Sequence, residues 1–214
     1  EIRPRDWSSD VCSSDLLLAI TDGRQRHAGA FGRWAEALAA AGVDGLQIRE
    51  KGAADRLVLE LAERARTVAP ETLRTVVNAR ADIALAAGIA GVHLPASGVS
   101  VRAARSRLGF EGLVGLSTHH PREAERAVDD GADYVTFGPV YPTPSKERYG
   151  PPPGLPGLAE AVALGGPVLA LGGITMERAA ECLEVGAYGV AAIRLFTRPE
   201  AVTPLVELME GAPR

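Results

Sequence analysis

Gly42-Val43-Asp44-Gly45-Leu46, Gly88-Ile89-Ala90-Gly91-Val92, Gly131-Ala132-Asp133-Tyr134-Val135 and Gly186-Ala187-Tyr188-Gly189-Val190 are four versions of one phrase. The leading glycine falls where a helical pattern runs out and the chain must turn left-handed. The apolar residues behind it open a short buried strand. Successive versions start 46, 43 and 55 residues apart, close to two strand–helix units each. The phrase therefore marks every second strand of a longer alternation.

The rest of the chain supplies the intervening units. Strands are expected at Leu17–Thr21, Gly45–Arg49, Thr75–Asn78, Gly91–Leu94, Leu113–Ser117, Tyr134–Gly138, Val168–Gly172 and Gly189–Ile193. Segments rich in Ala, Leu, Glu and Arg predict helices at Arg33–Ala41, Ala54–Val68, Ala81–Ala87, Val101–Leu108, Pro121–Asp130, Leu158–Leu164, Met176–Val185 and Thr203–Glu210. Strict alternation argues for parallel βα units. Eight of them predict an α/β fold, a single (β/α)₈ TIM barrel. An open doubly wound sheet would carry phosphate-binding glycines after its first strand. Only Asp22-Gly23-Arg24 stands there, so the barrel is preferred.

Residues 1–15 do not join this rhythm. Asp6 to Leu16 read DWSSDVCSSDL, rich in Ser and Asp and without an apolar period. The run resembles an in-frame translation of a common sequencing adapter. Residues 1–15 are expected to be a non-native tail, and residues 16–214 one domain. Setting the tail aside leaves 199 residues, 21 basic against 23 acidic groups, and Cys182 as the one cysteine. That length is near the lower limit for a closed eight-unit barrel.

Composition narrows the function. No apolar run approaches the length of a membrane span, so no membrane association is expected. Two cysteines in the full chain make neither a disulfide framework nor a zinc pattern. A net charge of -4 argues against a nucleic-acid partner. With no targeting pattern either, a cytoplasmic location is expected.

In a barrel the chemistry belongs at the carboxyl ends of the strands, and the polar residues fall there. Period-two alternation sends Gln47, Arg49 and Lys51 to one side of their strand and Leu46 and Ile48 to the other. The apolar pair must face the helices, so Gln47 and Arg49 point into the mouth. A buried Arg needs an anion there, either a ligand phosphate or an internal partner such as Glu50 or Asp22. Strand three ends Asn78-Ala79-Arg80, strand four contains His93, and strand five runs Ser117-Thr118-His119-His120. Three histidines thus converge on one mouth in this reading. Strand six enters Thr143-Pro144-Ser145-Lys146 and a Pro- and Gly-rich stretch to Gly157, a candidate binding loop. Both lysines, Lys51 and Lys146, sit in such loops in a chain with 21 Arg. Strand seven ends Gly172-Gly173 before a helix, and strand eight ends at Ile193-Arg194. Glycines at a helix N-terminus after strand seven form a phosphate site in this architecture. The residues alone therefore point to an enzyme acting on a small phosphorylated molecule.

The succession TDG, QIREK, VVNARADIALAAGIAGVHL, GLSTH, ADYVTFGPVYPTPSK, LALGGIT and GAYGVAAI resembles the thiamine phosphate synthase superfamily, over Leu17 to about Phe196. The resemblance implies a thiazole phosphate ligand, a role in thiamine biosynthesis and a homodimer. Synthases of the superfamily join a pyrimidine pyrophosphate to the thiazole phosphate, and carboxylates hold Mg²⁺ against the departing pyrophosphate. In that pattern strand three ends Asn-Asp and strand four continues Gly-Gln-Glu-Asp. Here the positions read Asn78-Ala79 and Pro95-Ala96-Ser97-Gly98, so both metal carboxylates are missing. The NAR and HLPASG segments resemble the thiazole tautomerase branch instead. That reaction moves a proton and needs no metal.

The leading expectation is thus a tautomerase-like isomerase without cofactor, with His119 as its acid/base by resemblance. The resemblance also gives Gly173, Ile193 and Arg194 to the phosphate, while Gln47, Arg49 and Lys51 match a pyrophosphate-binding strand in synthases. Asn78, Ser117, Thr143, Ser145, Lys146 and Gly172 complete the expected substrate site. The first alternative is a thiamine-phosphate synthase, which would use Mg²⁺. The second is a non-catalytic ligand-binding barrel with a regulatory role.

Overall fold

The structure is a computed structural model that describes residues 16–24, 27–89, 91–144 and 150–211. The tail expectation for residues 1–15 lies outside them. Eight strands close a parallel barrel in sequence order. They are β1 (Leu16–Ile20), β2 (Gly45–Ile48), β3 (Arg74–Asn78), β4 (Gly91–Leu94), β5 (Leu113–Thr118), β6 (Tyr134–Phe137), β7 (Val168–Leu171) and β8 (Gly189–Ala192). The helices are α1 (Ala28–Ala40), α2 (Asp55–Val68), α3 (Ala81–Ala87), α4 (Val101–Ser106), α5 (Pro121–Asp129), α6 (Gly154–Ala163), α7 (Met176–Glu184) and α8 (Thr203–Gly211). β8 pairs with β1 through Leu16–Gly189 to Ala19–Ala192, which completes the circle.

Every expected element is present, and two helices start earlier than expected. α1 begins five residues before Arg33 and α6 four before Leu158. The first turn of α1 contains Gly29, and Gly32 follows, which lowers its helix propensity. Phe31 between them is fully buried, and this packing overrides the propensity.

Alternation along the strands divides the apolar residues into two layers. Leu17, Ala19, Leu46 and Ile48 face outward and pack under the helices. Leu16, Leu18, Ile20, Tyr134, Leu169 and Ala191 fill the barrel interior. Large inward side chains fit because facing positions are glycine. A Cβ on Gly115 would lie 2.2 Å from Tyr134 Cζ, and one on Gly91 would lie 2.5 Å from Val76 Cγ1.

The repeated phrase has a physical job at the amino-terminal rim. The Asp44 N–H donates to the Leu17 carbonyl (3.2 Å), and the Leu17 N–H donates back to Asp44 Oδ2 (2.9 Å). Asp133 and Val114 repeat the exchange at 2.9 and 2.6 Å. Each aspartate laces the start of its strand to the strand before it. Asp133 also receives the Arg105 guanidinium at 2.6 Å, and that same guanidinium donates to the carbonyls of Phe110 and Gly112.

Candidate active site

The carboxyl ends of the strands carry the expected residues. Gln47 is 2 % exposed and faces inward, and its Nε2 has no hydrogen-bond partner. A buried amide left without a partner is costly, and a ligand group at the mouth would satisfy it. Two residues on, the Arg49 N–H donates to Thr21 Oγ1 at 2.8 Å, so a buried threonine at the end of β1 fixes the Arg49 backbone. Burial lowers the pKa of the Arg49 guanidinium, and the neighbouring Glu50 raises it. Arg49 and Glu50 thus interact, so an internal partner offered by the sequence is in place.

Arg49, Glu50, Lys51, Asn78, Ala79 and Arg80 line a cleft of about 190 Å³ between the ends of β2 and β3. Ala79 holds φ at 64°, a left-handed value that is uncommon for alanine. Arg80 spans Asp55 and Asp82, at 2.6 Å from Asp82 Oδ2. The guanidinium pulls the Asp82 carboxyl down to about 2. Asp82 also lies in the first turn of α3, as expected of a helix-starting residue.

The three histidines separate. His119 is half-buried beyond β5, and its ring Nδ1–H donates to the Gly138 carbonyl. A carbonyl only accepts, so Nδ1 carries a proton and Nε2 is the ring nitrogen left for other partners. The Glu123 carboxylate accepts the backbone N–H groups of His119 (2.7 Å) and His120 (3.3 Å), which anchors this turn. His120 itself is the exposed N-cap of α5 and leaves the mouth. His93 lies inside the barrel, 2 % exposed, with Nδ1 at 3.0 Å from the Tyr134 hydroxyl and Nε2 at 2.9 Å from Ser117 Oγ. Burial, helped by the Arg49 charge, drives its pKa down to about 3, so it is neutral. The expected convergence of three histidines on the mouth is therefore corrected to one, His119. His93 sits a layer deeper, and His120 is diverted by the turn into α5.

On the opposite side, β7 and β8 end in the two turns where the phosphate was expected. Gly172 and Gly173 take φ of 101° and 70°. Their backbones press against the loop after β6, where a Cβ would meet Pro139 Cα at 2.6 Å and Tyr141 Cβ at 2.7 Å. Arg178 donates to the Gly173 carbonyl at 2.8 Å and stacks 4.6 Å from the centre of the Tyr141 ring. Thr143 follows in the same loop, half-buried. Ser145 and Lys146 lie outside the described residues. Ile193 is half-buried and Arg194 exposed at the start of a 3₁₀ turn (Arg194–Thr197). Trp34 Nε1–H on α1 donates to the Phe196 carbonyl at 2.8 Å, tying this turn down.

The sequence reading missed Thr21, Thr136 and Tyr134. Thr136 is 1 % exposed, and its Oγ1 has no hydrogen-bond partner. Period two from Tyr134 was the available signal that it faces inward.

A Mg²⁺ ion of the kind the synthase pattern uses does not fit these residues. Ala79 and Gly98 bring no donor to the two carboxylate positions. Of the nearby acids, Asp55 and Asp82 hold Arg80, Asp22 holds Arg24 at 3.1 Å, and Glu50, buried in the cleft, is drawn to the Arg49 charge. Among the described residues no three His, Cys, Asp or Glu side chains gather as a metal-binding group. No helix among them is long and apolar enough to cross a membrane.

The fold and site together are those of a closed parallel barrel with glycine turns after β7 and a charged cleft at the ends of β2 and β3, the architecture of barrel enzymes that work at the carboxyl ends of their strands. A family profile described as thiamine monophosphate synthase matches residues 17–196, and the chain belongs to that family. A Geobacter sulfurreducens protein provisionally named thiamine-phosphate synthase is 45% identical over 179 residues, 83% of this chain and 84% of its own. A thiamine-phosphate synthase of Methanoregula boonei is 34% identical over 197 residues, 91% of each chain. The solved thiamine phosphate pyrophosphorylase of Pyrococcus furiosus superposes with a TM-score of 0.79 at 29% identity, covering 92% of this chain and 96% of its own. These names support an enzyme, and they favour the synthase alternative over the leading tautomerase expectation.

Proposed function

We propose that this protein is a thiamine-phosphate synthase that joins a pyrimidine pyrophosphate to a thiazole phosphate at the carboxyl-terminal mouth. The observation that carries the reading is the family profile over residues 17–196 with the synthase names of the relatives, and two candidate anion sites on different sides of that mouth support it. One is the cleft with Arg49 and Lys51, and the other is the Gly172-Gly173 loop with the Ile193-Arg194 turn. Each of the two phosphorylated substrates takes one of them, and the synthase names of the relatives favour this use over the two anions of a single thiazole carboxylate phosphate. In this reading Arg49 and Lys51 bear the charge of the departing pyrophosphate, and the Gln47 amide and Asn78 fix the pyrimidine half. Thr143 in the loop after β6 binds the substrates, and Ser145 and Lys146 are given the same role from the sequence. Gly172, Gly173, Ile193 and Arg194 hold the thiazole phosphate. Substrates of this charge do not cross a bilayer unaided, which supports a cytoplasmic reaction where they are made. The family resemblance adds a homodimer, which sedimentation would test.

A second reading is favoured by one observation, Ala79 and Gly98 standing in place of the metal carboxylates. It is the thiazole tautomerase, with His119 Nε2 as the base. One pair of assays separates the two. The purified chain is incubated with both phosphorylated halves in Mg²⁺ and in EDTA, and thiamine phosphate is measured. The synthase reading expects product, and its absence under saturating Mg²⁺ sinks it. The tautomerase reading expects isomerisation of the thiazole carboxylate phosphate that survives EDTA and is lost in His119→Ala.

A further inference from the structure

Three uncharged side chains run in series from the barrel core to the mouth. The Tyr134 hydroxyl lies 3.0 Å from His93 Nδ1, and His93 Nε2 lies 2.9 Å from Ser117 Oγ. Tyr134 is fully buried and His93 is 2 % exposed, while Ser117, near the end of β5, is half-buried and borders the mouth. The Tyr134 ring lies against Gly115, where any side chain would collide with it.

Neutral imidazole has one N–H and one lone pair, so this series has two settings. In one, the Ser117 O–H donates to His93 Nε2, and Nδ1–H donates to Tyr134. In the other, the Tyr134 O–H donates to Nδ1, Nε2–H donates to Ser117 Oγ, and the Ser117 O–H is released toward the mouth. Each group keeps a single proton in both. Only the second setting turns the positive ends of all three dipoles toward the substrate. An anion selects it, because hydrogen bonds in series polarise one another.

We propose that His93 and Tyr134 are positioning residues that act through Ser117, aiming its hydroxyl at an anionic oxygen of the substrate. The series supplies an electropositive end without a charge in the barrel core. A charged histidine would be costly at that depth, and burial together with Arg49 keeps His93 neutral. The proposal rests on the reading above only in needing a phosphate-type anion at the mouth.

The test is a double-mutant cycle in the full chain, with inorganic pyrophosphate as the probe and calorimetry as the readout. Ser117→Ala is expected to weaken binding roughly tenfold, as for a hydrogen bond to a charged group. Tyr134→Phe removes one oxygen and keeps the ring, and it is expected to weaken binding about threefold to fivefold. In the Ser117→Ala background Tyr134→Phe is expected to change affinity less than about twofold, since the group it acts through is gone. Equal losses in both backgrounds, or no loss from Tyr134→Phe alone, overturn the proposal. The ring ¹⁵N shifts of His93 give a check that needs no variant. Pyrophosphate should leave Nε2 protonated and Nδ1 bare, and a spectrum with Nδ1 protonated in the complex also overturns it. A wild-type chain that binds no pyrophosphate refutes the anion-site reading itself, and the proposal with it. Binding with an additive cycle refutes the relay alone.

Discussion

Replacing Gly115 by alanine adds one methyl group to the barrel interior. It would stand 2.2 Å from Tyr134 Cζ, 2.5 Å from its hydroxyl oxygen and 2.6 Å from Cε1. Carbon atoms in contact sit about 3.5–4.0 Å apart, so the overlap exceeds 1 Å. Tyr134 is 0% exposed and has no solvent side to swing toward. Overpacking of this kind costs about 1–3 kcal/mol, and the overlap places it at the upper end. Displacing the ring also breaks the 3.0 Å contact with His93, worth about 1 kcal/mol more. The expected loss is about 3–4 kcal/mol, or a Tm lower by roughly 6–16 °C for a chain of this size. Urea unfolding should show a lower midpoint with an unchanged slope. Gly109→Ala is the control. Its φ is 61° and nothing lies within 4 Å of the added Cβ, so it should lose only about 1 kcal/mol of backbone strain. Tyr134→Phe should not rescue Gly115→Ala, because Cζ and Cε1 remain, whereas Tyr134→Leu should recover part of the loss. A Gly115→Ala chain within about 0.5 kcal/mol of wild type would show that Tyr134 is not wedged as described.

Other expectations follow from the site. Ala79→Asp combined with Pro95→Gly and Gly98→Asp installs the two absent carboxylates; Pro95 is removed because a Cβ at position 98 would lie 2.9 Å from its Cγ, and aspartate tolerates the left-handed φ at position 79 better than alanine. Calorimetry should then show Mg²⁺ binding clearly tighter than in the parent, and unchanged Mg²⁺ affinity would contradict the poor fit argued for the parent site. Glu123→Gln weakens the acceptor shared by the His119 and His120 N–H groups, so under the tautomerase reading isomerisation should slow about tenfold with KM little altered. An unchanged kcat would mean that this anchor does not position His119. His93 has a native pKa near 3, against about 6.5 when unfolded. The unfolded chain therefore takes up a proton that the native one refuses. Stability is full above pH 6.5 and falls as the pH drops toward 3, by up to about 1.4 kcal/mol per unit from this group. Urea midpoints at pH 7, 6 and 5 should fall more steeply in wild type than in His93→Gln, and parallel slopes would refute the assignment.

The fold was legible because its signal is periodic. The repeated phrase, the two-residue alternation of Leu46-Gln47-Ile48 and the helix-period segments all agree, and all sixteen elements appear. The site was legible only where a residue's side of the barrel follows from a strand. Gln47 and Arg49 obey the alternation, and Gln47 is inward as read. His119 and His120 lie where strand gives way to helix, and there the backbone turn decides orientation, so His120 became an exposed cap. The cleft beside Asn78 depends on how two loops meet, which spacing does not encode. Tyr134 had a signal of its own. At the fourth position of the phrase the even strands carry Gly45, Gly91, Tyr134 and Gly189, so one large ring stands where three others have no side chain.

The Asp44 and Asp133 laces tie the rim opposite the mouth, between β1 and β2 and between β5 and β6, on opposite sides of the circle. Closure of the barrel and chemistry at its mouth thus draw on separate sets of residues. The carboxyl-terminal loops are free to be lengthened, shortened or exchanged while the circle stays shut. A library that varies only those loops should yield folded proteins of altered specificity, whereas changes at the two aspartates should cost solubility before they touch selectivity.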